Sequence, residues 1–213
     1  MNKNFLVETI VKKIKHQLLN EGVIDQHVLA LSRFIIHQFK NKQDFEMTYY
    51  FERGDDYADF DFIGNFIEDE EMEDPFSIHA ESDMQTFEIE ITYNPKEFPK
   101  SMSDLVAEVK ETVVHELEHI MQQNFQDMEI EDEDDYTNNF EYLTSKVEVP
   151  AYVKGLIKRA NTKRITLDDA MEEWFKENRR KFDDPENEWK QVKKIWKDYA
   201  FDMLKKQKIK KFK

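Results

Sequence analysis

An α+β fold follows from three features of the sequence. Helical periodicity marks the first forty residues, two-residue alternation of aromatic and polar side chains marks about 45–93, and helical periodicity returns from about 101 onward. The predicted order is N-terminal helices, an antiparallel β-sheet, then helices. All 213 residues fit a single domain, with about 165–213 as a C-terminal helical extension.

Phe5, Ile10, Ile14 and Leu18 recur at helical spacing within 4–19. Asp25 is placed to cap a second helix to about Lys40, with Val28, Leu29, Leu31, Phe34, Ile35 and Phe39 apolar. Phe45, Met47, Tyr49 and Phe51 alternate with Glu46, Thr48, Tyr50 and Glu52, as on a half-buried strand. Further strands are expected at 58–66, 76–80 and 87–93, and their short connections predict an antiparallel meander. Asn94-Pro95 and Phe98-Pro99 end the sheet pattern. Ser101 or Ser103 can cap a long helix to about Asn124. An acidic loop follows, then helices at about 145–160, from Thr166 to about Arg180, and after Pro185.

Composition narrows the function. With no Cys, the chain has no disulfides, no thiolate nucleophile and no Cys-type zinc site, so a metal must be held by His and carboxylates. A net charge of −15 argues against general affinity for nucleic acid. No stretch reaches the ~20 apolar residues that span a bilayer, and the N-terminal residues lack a signal-peptide run, so a soluble, cytoplasmic protein is expected. The segment 190–213 holds ten Lys against Asp198 and Asp202, a basic helix that can lean on the acidic body or serve as a partner site.

His115-Glu116-Leu117-Glu118-His119 carries the chemistry. Two His four apart on a helix stand side by side, their Cβ atoms roughly 5–6 Å apart, and can share one zinc ion. Glu116 is turned about 100° from His115 and can reach water at that ion as a general base. Val106, Val109, Val113, Leu117 and Ile120 form an apolar stripe, which leaves both His on the opposite, polar face. A catalytic zinc site needs a third protein ligand. Glu148 is the candidate, although Ser145-Lys146-Val147-Glu148 also reads as a capping box. Ala151 and Gly155, on the Glu148 side of that helix, favour the ligand role by permitting close approach to the His helix. Glu111 and Glu118 flank the His as possible acceptors for imidazole N–H groups, or as solvated carboxylates. His16, His27 and His37 have no useful ligand spacing and are expected at the surface or between helices.

The run from His115 to Gln122, followed by Tyr142-Leu143 and Glu148-Val149-Pro150-Ala151-Tyr152, resembles the gluzincin branch of HExxH zinc metallopeptidases. Compact bacteriophage and bacterial versions share an HExxHxxQ helix and a later E-x-x-A-Y helix. The resemblance spans about Ser101 to Ile157. It implies a zincin-like fold, a Zn²⁺ cofactor bound by His115, His119 and Glu148, Glu116 as catalytic base and acid, and a protein or peptide substrate paired to an edge strand. It leaves Tyr142, Tyr152 and His79 as candidates for an oxyanion donor, beside ordinary packing roles. Glu118, Pro150 and Tyr152 depart from the usual pattern, and no Gly-x-x-His follows His119, which excludes the metzincin pattern. The alternatives are a zincin-like structural or binding protein without peptidase activity, and an interaction module acting through its basic C-terminal helix.

Overall fold

The structure, a computed structural model, describes residues 25–53, 56–97, 101–126 and 136–211, with side chains given for all of these except 52, 53, 56 and 206–211. The expected helix at 4–19, His16, the Phe98-Pro99 break and the acidic run at 127–135 lie outside the described residues.

Helix α1 occupies residues 25–41. Asp25 is already helical, and its carboxylate takes an ion pair from Lys158 at 2.7 Å. The helix ends with Lys42 in the left-handed region (φ 53°), and the Gln43 N–H reaches back to the Gln38 carbonyl, satisfying an otherwise orphaned acceptor. Four strands follow: β1 (Phe45–Arg53), β2 (Asp56–Glu68), β3 (Phe76–Ser82) and β4 (Thr86–Tyr93). The helices are α2 (Met102–Gln126), α3 (Asn139–Leu143), α4 (Glu148–Lys163), α5 (Leu167–Asn178) and α6 (Pro185–Lys211), with a 3₁₀ turn at Arg179–Lys181. Helix α3 lies in the stretch expected to be loop. Among the described residues, no helix is long and apolar enough to cross a membrane.

The expected antiparallel sheet is a mixed one. Its order is β1-β2-β4-β3, and β2 pairs with β4 in parallel while the outer pairs are antiparallel. The chain leaves β2, passes one strand position, lays down β3 at the edge, and folds β4 back into the gap. Burial explains the order. Phe87, Ile89, Ile91 and Tyr93 of β4 are all buried, whereas Phe76, Ile78 and Ala80 of β3 are only partly so. The more apolar strand takes the interior position. A tight turn fixes the β3–β4 hairpin, with the Asp83 carboxylate accepting the Gln85 and Thr86 N–H groups, both at 2.7 Å.

One face of the sheet packs on α1 and α2. Phe51, Phe60, Phe62 and the buried β4 residues meet Val28, Leu31, Ile35 and Phe39 on one side and Leu105, Val109, Val113, Leu117 and Ile120 on the other. His27 of α1 bonds the Tyr49 hydroxyl at 2.8 Å and packs on Phe51, so it is a helix–sheet contact, not a surface or helix–helix one. A second core gathers α3 to α6 around Trp174, Phe175, Phe182, Trp189 and Trp196. Phe175 stacks on Trp189 at 4.8 Å, and the Trp196 indole N–H donates to the Leu143 carbonyl at 2.9 Å. Helix α6 also pairs Lys193 with Glu172 and, at 2.8 Å, Lys197 with Asp168, so part of its basic face rests on α5.

Gly64 sits opposite Phe45, and the Phe45 ring lies directly where a Cβ on Gly64 would project. That ring is itself held by Phe62 at 4.7 Å and Phe34 at 4.9 Å, so it has little room to move. Gly64→Ala is therefore expected to destabilise the protein by about 1–3 kcal/mol through overpacking. A urea titration should show a lower midpoint at unchanged slope; an unchanged midpoint contradicts this account of the β1–β2 pair.

Candidate metal centre

Helix α2 is sandwiched. Its apolar stripe faces the sheet, as expected, but much of its polar face is covered by another helix instead of by water. Helix α4 runs antiparallel along it and buries Glu111, Glu118, His119 and Gln122. Close approach is possible because Ala151 and Gly155 carry little or no side chain: a Cβ on Gly155 would come within 3.1 Å of the Glu111 carbonyl oxygen.

A buried polar face must be paired, and the partners come mostly from α4. Arg159 meets the buried Glu111 at 3.1 Å and Lys154 meets the buried Glu118 at 2.6 Å, while at the exposed start of α2 Asp104 meets Lys163 at 3.2 Å. Glu111 and Glu118 are thus neither solvated nor acceptors for the imidazoles. They are interhelical ion pairs. Burial pushes the Glu111 carboxyl up, with Arg159 pulling against it. The burial of Arg159 works against its charge, but Glu177, Glu111 and Glu108 outweigh that and hold the guanidinium protonated.

In the middle of this interface His115, His119 and Glu148 converge. The two Nε2 atoms are 3.0 Å apart, and the Glu148 oxygens lie 3.4 Å from His115 Nε2 and 3.3 Å from His119 Nε2. Glu148 is the first residue of α4, and its position there separates the two roles open to it. Its backbone N–H donates to Ser145 Oγ at 3.1 Å, but the N-cap is Val147, which makes no side-chain cap bond, so the expected capping box is not formed. Its carboxylate turns instead to the histidines. Pro150 falls in the first turn, where its missing N–H leaves no helical bond unmade. Burial opposes ionisation of Glu148, yet His115 and His119 outweigh it and hold the carboxyl at about 2. Burial lowers His119, but Glu148 and Glu116 more than reverse this and raise it.

These three side chains fit a divalent metal. Tetrahedral bonds of ~2.0–2.1 Å set ligand atoms ~3.3–3.4 Å apart, close to the separations seen here. Glu148 Oε2 is buried and accepts no hydrogen bond, and two ring nitrogens point at each other, so the pocket holds more acceptors than the surrounding protein satisfies. Behind His119, Gln122 Oε1 lies 3.2 Å from Nδ1, while the Gln122 amide donates to the Val147 carbonyl at 2.9 Å. Gln122 therefore fixes the His119 ring and ties it to the start of α4. Sequence reasoning gave it no role, although its place one turn after His119 on the same face was a usable signal.

The site opens into a cleft of about 430 Å³ bounded by β3, α2 and α4. Glu116 lines it, 6% exposed, and Ser82 Oγ donates to Glu116 Oε2 at 2.7 Å. Ser82 was outside the strand expected from sequence, which ended at Ala80. His79, Tyr142 and Tyr152 all border the cleft. Tyr152 packs edge-on to His115 at 4.6 Å and stacks on Trp196 at 5.1 Å, so the second core braces one of the histidines. No known protein family, characterised protein or solved structure matches the chain.

At the far end of the cleft Glu108 is pushed up to about 7, by burial first and then by the charges of Glu111 and Glu177. A carboxyl raised above its unfolded value stabilises the fold fully below about pH 4.5, and that contribution is lost as pH rises through 7. Glu108→Gln is thus expected to be more stable than the parent at pH 8 by on the order of 1–2 kcal/mol, allowing for partial exposure. The gap should close toward pH 4.5 in parallel chemical denaturations. A constant difference across that range contradicts it.

Proposed function

We propose that the chain is a zinc-dependent peptidase with a zincin-like fold, in which His115, His119 and Glu148 hold the metal and Glu116 is the general base and acid. The observation that carries this reading is the convergence of three metal-ligating side chains from two helices on one point, with the Glu116 carboxylate of α2 beside them at the edge of a cleft. The resemblance of these segments to the gluzincin pattern supports it as well. Zinc in such a site supplies a Lewis acid that activates water at neutral pH and stabilises charge on a carbonyl oxygen.

The chain's own groups do the rest. Glu116, held by Ser82, takes the proton of the attacking water and returns it to the leaving amine. Gln122 holds His119 in register, and Tyr152 packs against His115. Among the described residues β3 pairs only with β4, so its other edge offers backbone N–H and C=O groups along the cleft to an extended peptide. Main-chain pairing of that kind favours an unfolded or flexible protein segment as substrate.

After zinc loading and removal of excess ion, the protein is expected to carry about one zinc per chain, and His115→Ala to carry none. Glu116→Gln should keep the metal yet lose hydrolysis of a denatured protein by ~10²-fold or more. Zinc retained with unchanged hydrolysis in Glu116→Gln leaves a metal-binding protein without this mechanism; no zinc at all sinks the reading. Because protons compete for His119, metal affinity should fall as pH is lowered from 7 to 5.

Gln122→Ala should weaken zinc binding by roughly 10-fold or more while leaving the stoichiometry near one under saturation. Competition with a chelator measures this, and an affinity equal to the parent's removes Gln122 from the site.

A further inference from the structure

Alternation along β3 sends Phe76, Ile78, Ala80 and Ser82 toward the interior. Three of the four are apolar, as that face requires. The fourth is a hydroxyl, and it meets Glu116 Oε2 at 2.7 Å, with the Glu116 carbonyl at 3.3 Å. A hydroxyl on a strand otherwise apolar on this side needs a partner, and the partner is the one carboxylate of α2 assigned to proton transfer.

Both ends of the contact are fixed. Ser82 is the last residue of β3, immediately before the turn clamped by Asp83. The tip of that turn is tied to α2, since Asn124 Nδ2 donates to the Met84 carbonyl at 3.3 Å. Glu116 is anchored by the interior of α2, with Leu117 wholly buried next to it. Neither group can drift without moving a sheet edge or a buried helix.

We propose that Ser82 is a positioning residue for Glu116, holding one carboxylate oxygen so that the other faces the cleft, and coupling the orientation of the base to the strand edge along which substrate lies. This rests on the peptidase reading. A carboxylate free to rotate spends part of its time with both oxygens misdirected, and the hydroxyl removes that freedom. It does so from the strand that would pair with the peptide, so substrate binding that firms the edge also firms the base.

The experiment uses the whole 213-residue chain, zinc-loaded, and the variants Ser82→Ala and Ser82→Thr. Ser82→Ala should lower kcat about tenfold with KM and zinc stoichiometry unchanged, and Ser82→Thr, which keeps the hydroxyl and suits a strand, should restore most of it. An activity-independent reading comes from the Glu116 side-chain carboxyl ¹³C resonance in the metal-free protein, identified by its absence in Glu116→Gln. It should shift in Ser82→Ala and return in Ser82→Thr. An unmoved resonance overturns the contact. A moved resonance with unchanged kcat, or a Ser82→Ala variant that loses zinc, overturns the positioning role and leaves Ser82 structural. If the parent hydrolyses nothing, the peptidase reading fails and takes this one with it. If the parent is active and Glu116→Gln inactive while Ser82→Ala is normal, only the Ser82 assignment fails.

Discussion

The burial of the polar face of α2 is the constraint on which the rest of the structure turns. A helix with charged groups on one side ordinarily keeps that side in water. Here α4 covers it, and each buried group must find a partner across the interface or carry the penalty of an unpaired charge, several kcal/mol apiece. The buried Glu111 and Glu118 meet Arg159 and Lys154, and the exposed Asp104 meets Lys163, each an acid on α2 facing a base on α4. The pattern is reversed at one level only. There α2 supplies the nitrogens and α4 the carboxylate, and the pairing is incomplete, with a buried Glu148 oxygen that accepts no hydrogen bond and two imidazole nitrogens facing each other. The candidate metal centre is the place in this interface where buried nitrogens and a carboxylate converge without balancing, beside the single unpaired atoms Glu118 Oε2 and Arg159 Nε.

Two apolar cores meet through that interface. The sheet and α1 pack on one side of α2, and the aromatic cluster of α5 and α6 packs on the far side of α4. The candidate ligands are therefore divided between structural units: His115 and His119 belong to the sheet half, Glu148 to the helical half. Tyr152 carries the support of Trp196 across to His115, so the C-terminal helices bear on the site without lining much of it.

Much of this was legible in the sequence, for reasons that differ by element. The strands announced themselves because alternation is a local property, and β1 begins at Phe45 as expected, while the apolar stripe of α2 correctly predicted which side meets the sheet. Helical spacing placed His115 and His119 together, and the small residues Ala151 and Gly155 pointed to the close approach that brings Glu148 between them. What local pattern cannot carry is the choice of neighbours. Alternation looks the same in parallel and antiparallel strands, so the insertion of β4 between β2 and β3 was hidden. Polar spacing on α2 likewise cannot say whether the polar side meets water or another helix, which is why Glu111 and Glu118 read as solvated or imidazole-directed. Ser82 was missed because the strand was ended two residues early, at Ala80, and its hydroxyl gains meaning only beside Glu116.

The uneven placement of the indole side chains has a practical corollary. Trp174, Trp189 and Trp196 are all of the tryptophans in the chain, and all lie in the helical half, while the sheet half holds only phenylalanine and tyrosine. Intrinsic fluorescence excited at the red edge of the absorption band is therefore a spectator of one half alone. Paired with far-ultraviolet dichroism, which sees both, it can reveal whether the two halves come apart together or in sequence.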